Sequence, residues 1–224
     1  THVNVPGLDW LLGFTAISVL FTAFAVGGVA NAINMIDGFN GLTAGVALIM
    51  LGAFGLIARQ VGDIALAFSC LVMAASVAGF FVVNWPRGKI FLGDGGAYFL
   101  GFALAWIAVL LPERNASVSP WTSLLICAYP ITEVGFSIYR RRFLREGYPA
   151  TQPDAVHLHS LANRRWAKKL WPNASLTTQN GMTAPLLWLY ALLPCSAAVF
   201  FYTSFLATLG ALVVSFVFYL LMYH

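Results

Sequence analysis

The chain has 224 residues, of which 60% are hydrophobic and only 9% charged. With a mean hydropathy of +0.81, that composition excludes a soluble monomer and points to an integral membrane protein. The formal net charge of +4 suggests nucleic acid at first, but in a membrane chain basic residues mark one side of the bilayer and face anionic head groups or phosphates.

The sequence opens at Thr1 without the positively charged start of a cleavable signal, and is expected to begin at a cut end. Seven apolar runs follow, each read as a spanning helix of roughly 17 to 25 residues. They are Trp10–Ala30, Leu42–Ala58, Ile64–Val83, Ala97–Leu111, Trp121–Tyr139, Ala184–Tyr202 and Phe205–Tyr223. The fourth is short and is expected to borrow a first turn from Gly95 and Gly96. Cys70, Cys127 and Cys195 all lie inside apolar runs, which suits core packing and neither a disulfide framework nor a thiolate metal site. The predicted fold class is an all-α polytopic transmembrane helix bundle, one membrane domain over 1–224, with a polar basic insert over about 140–182.

Seven spans alternate sides, so Lys and Arg can be counted by side. Arg87, Lys89, Arg140, Arg141, Arg142, Arg145, Arg164, Arg165, Lys168 and Lys169 fall together, and only Arg59 and Arg114 lie opposite. The positive-inside rule makes the richer side cytoplasmic. That side also receives the polar loops after the first, third and fifth spans.

The loop after the first span reads Asn31-Ala-Ile-Asn34-Met-Ile-Asp37-Gly38-Phe-Asn40-Gly41-Leu42. Asn31, Asn34 and Asp37 recur every three residues, so on a helix they share a face that cannot look at lipid. One Asn or Asp suffices to cap a helix; four polar residues, Asn40 included, mark a binding site. Gly38 and Gly41 let the backbone turn or approach a ligand. The second loop carries Arg87, Lys89 and the run Gly93-Asp94-Gly95-Gly96. Asp94 between glycines at a helix mouth suits either a cap or a Mg²⁺ ligand, with backbone amides facing anions.

Glu133 lies about 10 Å along the fifth span from Arg140, somewhat inside the apolar layer, and needs a partner there, structural or catalytic. The insert holds Asp154-Ala-Val-His157-Leu158-His159. Its imidazoles project to one side if the segment is extended and diverge if it is helical. Metal binding, a hold on diphosphate, proton transfer near neutral pH and a plain solvated loop all remain open for them. Arg164, Arg165, Lys168 and Lys169 with Trp166 and Trp171 read as an interfacial basic stretch touching anionic membrane lipids.

Asn31-x-x-Asn34-x-x-Asp37-Gly38-x-x-Gly41-Leu42, Phe91-x-Gly93-Asp94-x-Gly96, Pro130-x-x-Glu133 with Arg140-Arg141, and His157-Leu158-His159 occur in this order. Together they resemble the polyprenyl-phosphate N-acetylhexosamine-1-phosphate transferases, glycosyltransferase group 4. The resemblance implies transfer of a sugar 1-phosphate from a UDP-sugar to undecaprenyl phosphate, releasing UMP, at the cytoplasmic face of a bacterial inner membrane. It implies Mg²⁺, with Mn²⁺ as the alternative, held by Asp94. Asp37, Asp94, His157 and His159 would be catalytic; Asn31, Asn34, Gly38, Asn40, Lys89, Glu133, Arg140 and Arg141 would bind substrate. Family members carry further spans and an adjacent aspartate pair, which this sequence lacks; either the first spans are absent from it, or it is a truncated, non-catalytic relative. Ala97 stands where the family commonly has Ser. His-Leu-His-Ser in place of three histidines points away from peptidoglycan precursors toward an O-antigen or capsule glycan. A transporter subunit ranks below these, because transporter sites lie near midplane between repeated halves.

Overall fold

The computed structural model describes residues 3–144 and 156–224. A short helix α1 (Pro6–Leu12) starts on a proline at its first turn and stops at Gly13. Then come α2 (Thr15–Met35), α3 (Leu42–Gln60), α4 (Ile64–Asn84) and α5 (Gly93–Arg114). The fifth apolar run is split into α6 (Pro120–Ile126) and α7 (Ala128–Tyr139), the latter continued by a π-helical turn, Arg140–Leu144. The insert, where described, forms α8 (Leu158–Ala162), a second π turn (Asn163–Ala167), α9 (Lys168–Leu170) and α10 (Leu176–Gly181). Helices α11 (Ala184–Phe201) and α12 (Phe205–Tyr223) complete the chain.

Six of these helices are long and apolar enough to cross a membrane, and the broken pair α6 and α7 raises this to seven if counted as one span. The architecture is thus an all-α, multi-pass bundle. Helix α3 sits at its centre: 67% of its apolar window is buried inside the protein, against 11% for α4, whose outer surface is left for lipid. Small residues make the close approaches. A Cβ on Gly101 would stand 2.7 Å from the Ala30 Cα, which is how α5 lies directly against α2.

Two expectations from the apolar pattern need correction. The first span runs Thr15–Met35 rather than Trp10–Ala30, because Gly13 and Phe14 break the helix early and the helix then continues through Asn31 and Asn34. The fifth span is not one rod; its two parts meet at a 76° bend. The cause is Pro130, which has no N–H to donate to the carbonyl four residues back, Ile126, and whose ring crowds it. That carbonyl accepts instead from the Cys195 thiol of α11 at 3.6 Å. Broken helices survive at membrane depth only where protein covers the break, and Ile126, Cys127 and Cys195 are all buried.

The two membrane faces are closed differently. On one, Asp63 caps α4 by accepting from the Leu66 N–H at 3.1 Å and is gripped by Arg114 at 2.7 and 2.9 Å. On the other, the loops after α2 and α4 meet the insert.

Candidate active site

The polar face is assembled around Gly41. Its backbone has φ +77°, and a Cβ there would lie 2.5 Å from the Trp85 ring, so both conformation and space require glycine. The Gly41 N–H donates to Asn84 Oδ1 at 2.6 Å, and its carbonyl accepts from Trp188 Nε1 at 3.1 Å. Asn84 in turn donates to the Ile90 carbonyl at 2.7 Å, which shapes the second loop. The Asn40 N–H donates to Asn180 Oδ1 at 2.8 Å, and its side chain reaches the Pro86 carbonyl at 3.3 Å. Trp85 Nε1 donates to the Gly181 carbonyl at 2.8 Å. Loops far apart in sequence are thereby locked into one surface by buried amides and indoles. Asn40, expected at the substrate, is committed to this framework. Asn84, Trp85, Asn180 and Trp188 were not singled out by the sequence pattern, since nothing in it separates a polar residue that reads a ligand from one that reads a distant backbone group.

On this framework the motif residues converge. Asn31 is exposed and Asn34 half-buried in the last turns of α2, while Asp37 lies just past the helix end, its N–H donating to the Asn34 carbonyl at 3.2 Å. Burial holds the Asp37 carboxyl above its ordinary range; the Thr43 hydroxyl pulls it down, and the negative charge of Asp94 pushes it up further. Asp37 and Asp94 therefore share one side of the bundle and one electrostatic neighbourhood. Asp94 is exposed in the first turn of α5 and caps nothing: the residue at the helix start is Leu92, with no side-chain cap. Helix α5 is also longer than expected at its start, so free N–H groups and the positive end of its dipole sit beside Asp94.

The histidine segment completes the surface. His157 is extended at the start of α8 and His159 is in its first turn, and the two rings stack at 5.2 Å with 15° between planes. They neither project in parallel from a strand nor diverge on a helix; the change of backbone conformation between them brings them face to face. The His159 ring lies over Gly38, where a Cβ would stand 3.1 Å from Nε2, and its edge meets the Phe39 ring. The Asp37-Gly38 turn and the histidine segment, about 120 residues apart, thus touch.

Helix α7 is the rail for that segment. Glu133, Ser137 and Arg140 follow one another at helical spacing and are all buried. Glu133 Oε1 lies 3.0 Å from His157 Nδ1 and accepts from the Leu158 N–H at 2.9 Å. Arg140 donates to the Val156 carbonyl and to the Tyr223 hydroxyl, each at 3.0 Å, and that hydroxyl donates to Val156 as well. Arg140 is therefore turned into the protein, tying the insert to α12. Lys89 and Arg87 are exposed on the second loop, and Arg141 is half-exposed. Asp154 and Arg145 lie outside the described residues.

Chemically, two carboxylates of like charge at one helix mouth suit a divalent cation, and imidazoles suit phosphate oxygens. Among the described residues no group of three or more His, Cys, Asp or Glu forms a cage. Mg²⁺ does not need one, since it takes one or two carboxylates and completes its shell with water and substrate phosphates. The donor set fits such an ion.

The model of glycosyl transferase family 4 matches residues 1–112, half of the chain. The chain belongs to that family. It is 34% identical over 160 residues to the undecaprenyl-phosphate alpha-N-acetylglucosaminyl 1-phosphate transferase of Yersinia pestis, a match covering 69% of this chain and 43% of that protein. The enzyme of the same name from Escherichia coli K12 is 33% identical over 161 residues, covering 70% and 43%. A probable undecaprenyl-phosphate N-acetylglucosaminyl 1-phosphate transferase of Bacillus subtilis is 34% identical over 139 residues, covering 62% and 38%. The matched stretch spans less than half the length of these relatives. The family match contains both aspartate motifs but ends before α7 and the histidines, which the folded chain brings back to them.

Proposed function

We propose that the chain transfers a sugar 1-phosphate, N-acetylhexosamine 1-phosphate, from a UDP-sugar to undecaprenyl phosphate with release of UMP, beginning a lipid-linked O-antigen, capsule or related envelope glycan. The observation that carries this reading is the meeting of Asp37, Asp94 and the stacked His157 and His159 on one face of a membrane bundle. That face would be cytoplasmic in a bacterial inner membrane, in keeping with the basic residues gathered there. Asp94, with Asp37 beside it, would hold Mg²⁺ or Mn²⁺, which supplies charge neutralisation between two anionic phosphates. The exposed N–H groups of α5 face the same anions, and Asn31 and Asn34 line the approach to Asp37. His157 and His159 would take phosphate or sugar oxygens from the opposite side. Orientation in this cleft contributes the rest, because the acceptor phosphate lies at the interface while its prenyl tail stays among the helices. Exposed Arg164, Lys168 and Lys169 beside half-buried Trp166 would rest on anionic head groups.

The test is UMP release from UDP-N-acetylglucosamine and undecaprenyl phosphate by the chain reconstituted in vesicles, against uptake of the same UDP-sugar. Release that depends on Mg²⁺ and disappears in Asp94→Asn, with the protein still folded, is expected. Undiminished turnover in Asp94→Asn rules out the metal assignment, and uptake without release favours a transporter.

A further inference from the structure

Glu133 is a carboxylate within a membrane span, only 1% exposed, and its place needs a reason. Its two short hydrogen bonds run through a single oxygen, to the Leu158 N–H and His157 Nδ1, and the buried Tyr129 and Tyr219 lie within electrostatic reach of the carboxylate. The first satisfies one of the free amides at the start of α8. The second bears on function, because the group that meets one imidazole nitrogen decides which nitrogen carries the proton and how the ring is turned. A carboxylate oxygen accepts, so Nδ1 is the donor and Nε2 is left for other work. The His157 side chain retains 10% exposure, and the His159 ring stacked on it prevents it from swinging. Arg140 and Tyr223 hold Val156, the residue immediately before, so the backbone entering His157 is fixed as well.

We propose that Glu133 is the positioning residue for His157. From inside the span it holds the ring in one rotamer and one tautomer, so that Nε2 is the nitrogen presented to the substrate phosphates. This assignment deepens the transfer reading and rests on it only for its catalytic consequence; the tautomer itself is a property of the chain.

Glu133→Gln separates positioning from support. The glutamine keeps the one oxygen that both the Leu158 N–H and His157 Nδ1 use, but without its charge, so α8 stays capped while the ring loses the anion that fixes the proton on Nδ1. The reconstituted chain carrying Glu133→Gln is expected to melt close to the parent and to lose turnover by about 10- to 100-fold, with little change in KM for the UDP-sugar. In a His157→Gln background the same substitution is expected to cost nothing further, since residues acting as one unit are not additive. Equal losses in both backgrounds, or no loss in either, overturn the proposal. ¹⁵N spectra of histidine-labelled chain, assigned by the signal missing in His157→Gln, should show Nδ1 protonated in the parent and a changed pattern in Glu133→Gln. A bare Nδ1 in the parent overturns the proposal without reference to activity. Absence of UMP release from the parent under all conditions sinks the transfer reading instead, and the spectra alone then decide the role of Glu133.

Discussion

The two ends of α3 carry the same side chain in opposite circumstances. At the far end Asp63 is satisfied on every side: it caps α4, accepts from Nε and Nη2 of Arg114 and accepts from Asn115 at 3.3 Å. These partners, Arg114 foremost, hold its carboxyl below the ordinary range. At the near end Asp37 is pushed above that range, by burial first and by Asp94 as well. Asp63 shows what a structural carboxylate looks like in this fold, and by that standard Asp37 is held in a state that a bound cation would relieve.

The sharpest way to break the comparison is Asp37→Asn. If Asp37 serves a bound cation, UMP release should fall by about 100-fold or more. The thermal midpoint in detergent should hold or rise, because a neutral amide ends the repulsion with Asp94. A lower midpoint with turnover intact would make Asp37 structural, like Asp63. Next in size is Gly41→Ala, which tests the frame rather than the chemistry. Its Cβ would meet Trp85 in a backbone conformation that side chains avoid, and the expected loss is about 1–3 kcal/mol of stability, read as a lowered midpoint. A midpoint equal to the parent would mean that the Gly41, Trp85 and Asn84 lock does not hold the loops. Asp63→Ala should come third. Losing the α4 cap costs about 1–2 kcal/mol, while turnover per folded molecule stays at the parent level.

The contrast between the ends of α3 also shows what could be read from the chain alone. Helices α3 and α12 begin at the expected residues, Leu42 and Phe205, because a glycine or a capping serine marks each start against apolar sequence. The fold class was legible for the same reason: lipid imposes a pattern that few soluble sequences share. The bend at Cys127 was not, although Pro130 was in plain view, because the apolar run continues across it and composition does not record a missing N–H. At the site, the meeting of the loops was legible and the contacts of individual residues were not. Asp37, Asp94, His157 and His159 stand on one face as their order suggested, yet Asn40 and Arg140, of equally suitable chemistry, are spent on Asn180, Pro86, Val156 and Tyr223. What a polar group touches across 140 residues of chain depends on packing that no local pattern encodes.

The smallest expected effect discriminates the two aspartates by sign. A carboxyl whose folded value is depressed adds stability above its ordinary value of 3.8 and loses it as pH falls through the folded value. Asp63 therefore steepens the acid side of the stability curve below about pH 4, and Asp63→Asn should flatten it. A carboxyl whose folded value is raised does the reverse: stability is present below 3.8 and declines as pH rises through the raised value. Asp37 should thus depress the curve above about pH 4, and Asp37→Asn should lift it there while leaving the acid limb unchanged. Thermal midpoints of the parent and both variants across this range measure the two slopes. Shifts of the same sign would mean that the ends of α3 are electrostatically alike, and that Asp37 carries no unrelieved charge for a cation to meet.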